Sequence, residues 1–154
     1  MKIILFITIV LLFFGCGNTN NLAKNPPLVN LVVQQDKYSL IFKHQFYKNF
    51  KNYDKTLAKF NVETNLSFNT SNALSNNGNN QLNIIKGNVD FKIINKINSK
   101  IIKTGSISSS INTGSVSSLY SVDENNNFAR ERIAKYLASK LYRKILLNTY
   151  TSEN

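Results

Sequence analysis

The chain has almost no sulfur or imidazole chemistry. Its 154 residues include one cysteine, one histidine, one methionine and no tryptophan. A single cysteine leaves no intramolecular disulfide and no metal site built from several thiolates. The lone histidine, His44, lies among aromatic residues, where a packed or surface role is the ordinary one. Acids are also scarce, eight Asp and Glu against 19 Lys and Arg. The one adjacent acidic pair, Asp123-Glu124, is accounted for as part of a helix cap. Serines are plentiful between 106 and 118, but none stands in a nucleophile elbow, and Gly105 and Gly114 do not form a phosphate loop. Hydrolysis and metal chemistry both need residue types that are missing here, so we expect no enzyme activity, metal or cofactor.

What is present is positive charge. The formal net charge is +11, and the matching partners are acidic: nucleic acid, anionic lipid or lipopolysaccharide phosphate. A second explanation stands beside this one. The chain is rich in Asn, Lys and Ile, the bias an AT-rich genome imposes. The N-terminus argues against nucleic acid, because it reads as a secretory leader.

Met1-Lys2 gives a short positive start, and Ile3 to Phe14 is then apolar except for Thr8. Those 12 residues match the apolar core of a signal peptide and fall well short of the about 20 needed to cross a bilayer. Gly15 and Cys16 follow, and then a polar stretch from Asn18. A small residue before Cys at that point resembles the lipobox of bacterial lipoproteins. In that family the thiol is acylated and the chain is cut before it. Phe13 and Phe14 stand where the lipobox usually has Leu and a small residue. The alternatives are an ordinary cleaved leader with an incidental Cys, or an uncleaved anchor. On the lipoprotein reading, residues 1–15 are removed and 139 of the 154 remain, with charge +10 once Lys2 is gone. Several acyl chains make attachment stable, where one gives only reversible binding. Gly17 rather than Asp after the Cys favours the outer membrane.

Residues 16–27 end in the only two prolines and read as a lipidated tether, followed by one domain over 28–154. Leu28 to Val33 is a candidate strand. Tyr38 to Tyr53 is ambiguous: Tyr38, Leu40, Phe42, His44 and Phe46 alternate as in a strand, while Tyr38, Phe42, Phe46, Phe50 and Tyr53 recur at helical spacing. Its length and the lysines at 43, 48 and 51 favour a helix. Phe60 to Phe68 alternates as a strand, and Thr70 to Asn83, dominated by Asn and Ser, reads as a loop, with Leu82 to Ile85 adding a few strand residues at its far end. Val89, Phe91, Ile93 and Ile97 share one side of the next run. A turn at Asn95 to Ser99 leads to a partner run in which Ile101, Gly105, Ile107 and Ile111 share one face. Ile102, Thr104, Ser106, Ser108 and Ser110 share the other, so the hairpin has one wet face.

Thr113 to Asn127 reads as a loop carrying a capping box at Ser121 and Glu124. Phe128 to Tyr150 is the clearest element. Ile133, Leu137, Leu141 and Ile145 form a stripe supported by Ala134, Ala138 and Tyr142, with Arg130, Arg132, Lys135, Lys140, Arg143 and Lys144 mostly off it. The expected fold is α+β: a two-layer sandwich with two helices on one face of a mostly antiparallel four-stranded sheet.

Taken together, Gly15-Cys16-Gly17, the hairpin from Asn88 to Gly105 and the run from Gly105 to Leu147 resemble the lipopolysaccharide-assembly lipoprotein family, LptE, in its alphaproteobacterial form. Tyr120, Phe128-Ala129 and the Ala134–Ala138 pair occupy that family's aromatic and helix-opening places. The resemblance implies an outer-membrane lipoprotein, lipid-anchored at the periplasmic face, that plugs and assists the LptD barrel and helps deliver lipopolysaccharide to the surface. It implies lipidation at Cys16 and basic contacts to lipopolysaccharide phosphates, for which Lys86, Lys100 and Lys103 are the candidates. The competing reading is a lipid-anchored envelope module that binds an anionic ligand on its own.

Overall fold

The computed structural model describes residues 28–50, 57–74, 81–113 and 119–150. The expected leader, Cys16, the tether and Tyr53 lie outside these residues. The element order is β1 (Val29–Val32), α1 (Lys37–Lys48), β2 (Phe60–Leu74), β3 (Gln81–Asn95), β4 (Ile101–Thr113) and α2 (Leu119–Tyr150). The four strands form one sheet in sequence order. β1 runs parallel to β2, with α1 as the crossover that a parallel pair requires, and the other two pairings are antiparallel. Both helices pack on one face, giving the expected two-layer α+β sandwich.

Alternation along the strands explains why only one face is covered. Val29, Leu31, Val62, Leu66, Ile85, Val89, Phe91, Ile93 and Ile107 point inward and are buried. Glu63, Asn65, Ser67, Lys86, Asp90, Lys92, Thr104, Ser106 and Ser108 alternate with them and face solvent. The stripe Ile133, Leu137, Leu141 and Ile145, joined by Ala129, Ala134 and Ala138, lies on the inner face with almost no exposure. The small alanines let α2 approach the sheet closely. The approach is tightest at Gly87, where an added Cβ would overlap Ile133 Cγ2 and press Leu137 Cδ1 and Phe68 Cε1 at 3.2 Å. Gly105 serves the neighbouring strand in a similar way, since the Phe91 ring lies where its Cβ would stand.

The helical reading of the ambiguous segment holds through Lys48. Asp36 caps α1 by accepting from the Tyr38 and Ser39 N–H groups, both at 3.0 Å. Burial pushes the Asp36 carboxyl up, but the hydrogen bonds from Ser39 and Tyr38 outweigh it and hold the group below its ordinary value. At the other end Asn49 closes the helix, its side-chain amide donating to the Gln45 and Phe46 carbonyls. Phe42 and Phe46 are buried, and Phe46, Phe50 and Tyr142 form an edge-packed cluster in which the Phe50 and Tyr142 rings lie 4.8 Å apart. Tyr47 reaches across to β1, where its hydroxyl accepts from the Leu31 N–H at 2.8 Å. That contact occupies a backbone donor on the short strand.

Four expectations need correction. The Asn- and Ser-rich stretch 70–83 is not all loop, since β2 continues to Leu74 and β3 begins at Gln81 in unbroken register. The antiparallel ladder, aligned by the apolar pairs further along, carries residues of low strand propensity with it. Helix α2 starts at Leu119, nine residues before Phe128, so Ser121 and Glu124 lie inside it and do not form a cap. Nothing between 119 and 128 is Gly or Pro, and an existing helix extends at one hydrogen bond per added residue. Ile97 does not join the inner face; it lies in the turn and is 88% exposed. Ile101 is 52% exposed as well, because a bulge changes the register between Ile93 and Ile94. Lys103 pairs with Ile93 but Ile101 with Ile94, so Ile102 is the extra residue and Ile101 moves to the outer face.

Candidate functional site: an aromatic strand edge and a basic hairpin end

Among the described residues no group of three or more His, Cys, Asp or Glu is placed to hold a metal, and no helix is long and apolar enough to cross a membrane. His44 is exposed on α1. A depression of about 380 Å³ lies on the sheet at the register Thr64–Phe91–Gly105 and is rimmed by Glu63, Asp90, Lys92 and Thr104. Its lining mixes both signs of charge with a hydroxyl and contains no nucleophile–base pair. The features that stand out are two surfaces.

The first follows β4, the strand at one side of the sheet. Helix α2 runs antiparallel to it, and Phe128, Arg132, Tyr136, Lys140 and Lys144 recur every four residues along the side that borders it. The row divides into two halves. Lys140 Nζ donates to the Ser108 carbonyl at 3.1 Å and Lys144 Nζ to the Ser106 carbonyl at 3.3 Å. These carbonyls point away from β3, so the two ammonium groups cover part of the free edge. Lys144 also lies 5.4 Å from the Phe91 ring centroid. In the other half, two open hollows of about 310 and about 200 Å³ separate helix from strand. Ile111 and Arg132 line both, Tyr136 lines the first and Phe128 the second. Phe128 is 67% exposed and Tyr136 57%, with Tyr120 at 76% one helical stretch further on. Glu131 and Lys135, paired at 2.6 Å, lie beside this row. The Lys135 hydrogen bond and charge hold the Glu131 carboxyl below its usual range.

The second surface is the β3–β4 hairpin end. Lys100 lies in its turn and Lys103 in the first residues of β4, both exposed. Lys86 does not join them. It faces solvent on the outer side of β3, opposite Asn69 and Ser110, and Lys103 lies opposite Ile93. Seven residues of strand separate those registers, roughly 23 Å. The three lysines singled out from the sequence therefore form one pair and one distant single.

Sequence reasoning recognised Phe128 and Tyr120 only as pattern positions and passed over Tyr136. Their placement off the Ile133–Leu137–Leu141 stripe, at the same spacing as Arg132, is the signal that marks them as exposed. Nothing in the sequence marks the bulge that turns Ile101 outward.

No protein-family model matches the chain, and no curated protein matches it. Solved structures do. A protein of Caulobacter crescentus assigned as a lipoprotein superposes with a TM-score of 0.60 at 16% identity, covering 82% of this chain and 92% of that one. A minor lipoprotein of Acinetobacter baumannii gives 0.58 at 14%, over 81% and 94%. Rare lipoprotein B of Shewanella oneidensis gives 0.66 at 11%, over 82% and 98%. At such identities the likeness establishes the fold: this chain shares the α+β architecture of a set of bacterial lipoproteins, matched over nearly their whole length.

Proposed function

We propose that the protein is a lipid-anchored envelope lipoprotein, held through Cys16, that acts without catalysis as the partner and plug of an LptD-like outer-membrane barrel in lipopolysaccharide assembly. The observation that carries the reading is the fold shared with three bacterial lipoproteins, taken with a leader-length apolar run ending in Gly15-Cys16. The β4–α2 surface supplies the docking chemistry. Tyr and Arg are the residue types that concentrate binding energy at protein interfaces, and here Tyr136 and Arg132 sit with Phe128 over hollows beside a strand edge. The basic residues favour lipopolysaccharide phosphates as the anionic ligand, with Lys100 and Lys103 as a pair and Lys86 as a separate contact.

Two experiments separate the parts of this reading. Metabolic labelling with palmitate tests the anchor: label is expected on the native chain and absent from Cys16→Ala. Photocrosslinking tests the surface. A crosslinker at Phe128 is expected to capture a large outer-membrane barrel, and one at Ser67, on the wet face of β2, is not. Capture of the same barrel from both positions, or from neither, would sink the assignment of this surface.

A further inference from the structure

The lysine-rich hairpin end also carries Ile97, the most exposed large apolar side chain among the described residues, together with three other exposed aliphatic side chains. Ile97 is 88% exposed, Leu57 61%, Ile101 52% and Ile102 43%. Lys59, Lys96, Lys100 and Lys103 lie among them, all exposed. Neither 57–60 nor 94–103 contains an acid. The turn holds this shape through its own hydrogen bonds. The Asn95 side chain accepts from the Ile97 N–H at 2.8 Å, and Asn98 accepts from the Lys100 N–H at 3.1 Å. The Asn95 N–H donates to the Lys100 carbonyl at 3.0 Å. Ile97 is thus presented to solvent by a turn whose backbone is fixed on both sides of it. The bulge at Ile102 adds Ile101 to the same exposed group.

This end is also where the chain leads back toward Cys16. The Lys59 N–H donates to the Leu28 carbonyl at 3.0 Å, and the Lys96 N–H donates to the Lys59 carbonyl at 3.0 Å. Leu28, Lys59 and Lys96 therefore form one row across the end of the sheet, and Ile97 follows directly. Eleven residues, 17–27, separate Cys16 from Leu28 in that row, a reach of at most about 43 Å. A lipid at Cys16 would therefore tether the domain through this end of the sheet.

We propose that the β3–β4 hairpin end seats on the membrane that carries the anchor, with Ile97, Ile101 and Leu57 entering the headgroup boundary of an anionic phospholipid surface and Lys59, Lys96 and Lys100 meeting its phosphates. The inference rests on the anchor reading of Cys16. Apolar side chains framed by lysines are the composition that binds an interface, the apolar groups through burial and the ammonium groups through the surface charge. The same ammonium groups keep the exposed isoleucines soluble before contact. Seating would fix the sheet axis relative to the membrane.

The test uses the full-length protein, purified from bacterial membranes and reconstituted into vesicles of phosphatidylethanolamine and phosphatidylglycerol carrying a nitroxide headgroup lipid. Because Cys16 is the only cysteine, its acylation leaves an introduced residue as the sole thiol. An environment-sensitive fluorophore is placed at Ile97→Cys, and at Ser110→Cys as the reference on the distant outer face. We expect strong quenching at 97 and little at 110. Lys96→Gln with Lys100→Gln should lower the seated-to-free ratio roughly 25-fold, about fivefold for each lysine. Equal quenching at the two positions, no quenching at 97 in vesicle-bound protein, or protection at 97 that appears only with a co-purified protein overturns the proposal. A second labelled thiol, at Cys16, reports failure of the anchor reading instead.

Discussion

Replacing Gly87 by Ala sets two effects of opposite sign against each other. Gly87 lies in β3, and its backbone is in a region other residues adopt. Restricting the unfolded chain with a methyl would then ordinarily stabilise by about 0.4–1 kcal/mol. Against this stands the packing of α2. The new Cβ would overlap Ile133 Cγ2, and Leu137 Cδ1 and Phe68 Cε1 lie at 3.2 Å. Ile133 is fully buried on a helix, where a β-branched side chain has essentially one rotamer, so the methyl cannot swing away. The helix must lift or Ile133 must take a strained rotamer, a cost of about 1–3 kcal/mol. We therefore expect Gly87→Ala to destabilise by about 1–2 kcal/mol net and to lower Tm by about 4–8 °C. Urea unfolding followed by circular dichroism and tyrosine fluorescence reads this directly, since the chain has seven tyrosines and no tryptophan. A double-mutant cycle sharpens the test. Ile133→Ala alone costs about 2–5 kcal/mol, and adding Gly87→Ala to it should recover about 1 kcal/mol by occupying the vacated space. A neutral or stabilising Gly87→Ala, or strict additivity in the cycle, would refute the argument that α2 contacts the sheet through this glycine.

Three further outcomes follow from the same structure. Asp36→Ala should cost about 1 kcal/mol at neutral pH, while Asp36→Asn keeps the cap and costs less. Because the Asp36 carboxyl is held below 3.8 in the fold, its contribution is present above that value and lost as pH falls through the lower folded pKa; the gap between native and Ala chains, followed by thermal melts, should close in acid. Removing both Lys140 and Lys144 side chains by substitution with Ala uncovers the Ser106 and Ser108 carbonyls, and sedimentation should then show stronger concentration-dependent self-association than in the native chain. Phe128→Ala with Tyr136→Ala should weaken capture of the barrel partner by about thirtyfold or more, the scale of an aromatic hot spot, and leave thermal stability nearly unchanged because both side chains are largely exposed.

Much of the fold can be read from periodicity because its core is periodic. The Ile133–Leu137–Leu141–Ile145 stripe and the alternation through Val62 and Leu66 each satisfy one regular template, and each ends up buried. The failures share a cause: tertiary context overrode a local signal. The Asn-rich ends of β2 and β3 have poor strand propensity, and pairing across the hairpin decides their state. Ser121 and Glu124 fit a cap, but the helix already extends past them to Leu119. Ile101 satisfies the inward alternation, and one extra residue in β4 reverses its face. The surfaces were harder still. Lys86, Lys100 and Lys103 are candidates by charge alone, and strand register separates the first from the others by roughly 23 Å. Phe128 and Tyr120 stand out in the sequence only as pattern positions, and the exposure of the row they form with Tyr136 depends on how far β4 runs beside it.

The most direct test of the account is recovery of the tagged protein from its native membranes in mild detergent, with mass spectrometry of the protein that accompanies it and of the N-terminal peptide. The account predicts an acylated Cys16 and a stoichiometric LptD-like barrel. A folded, monomeric lipoprotein recovered alone would contradict it, and would leave an anchored module that binds its anionic ligand unaided.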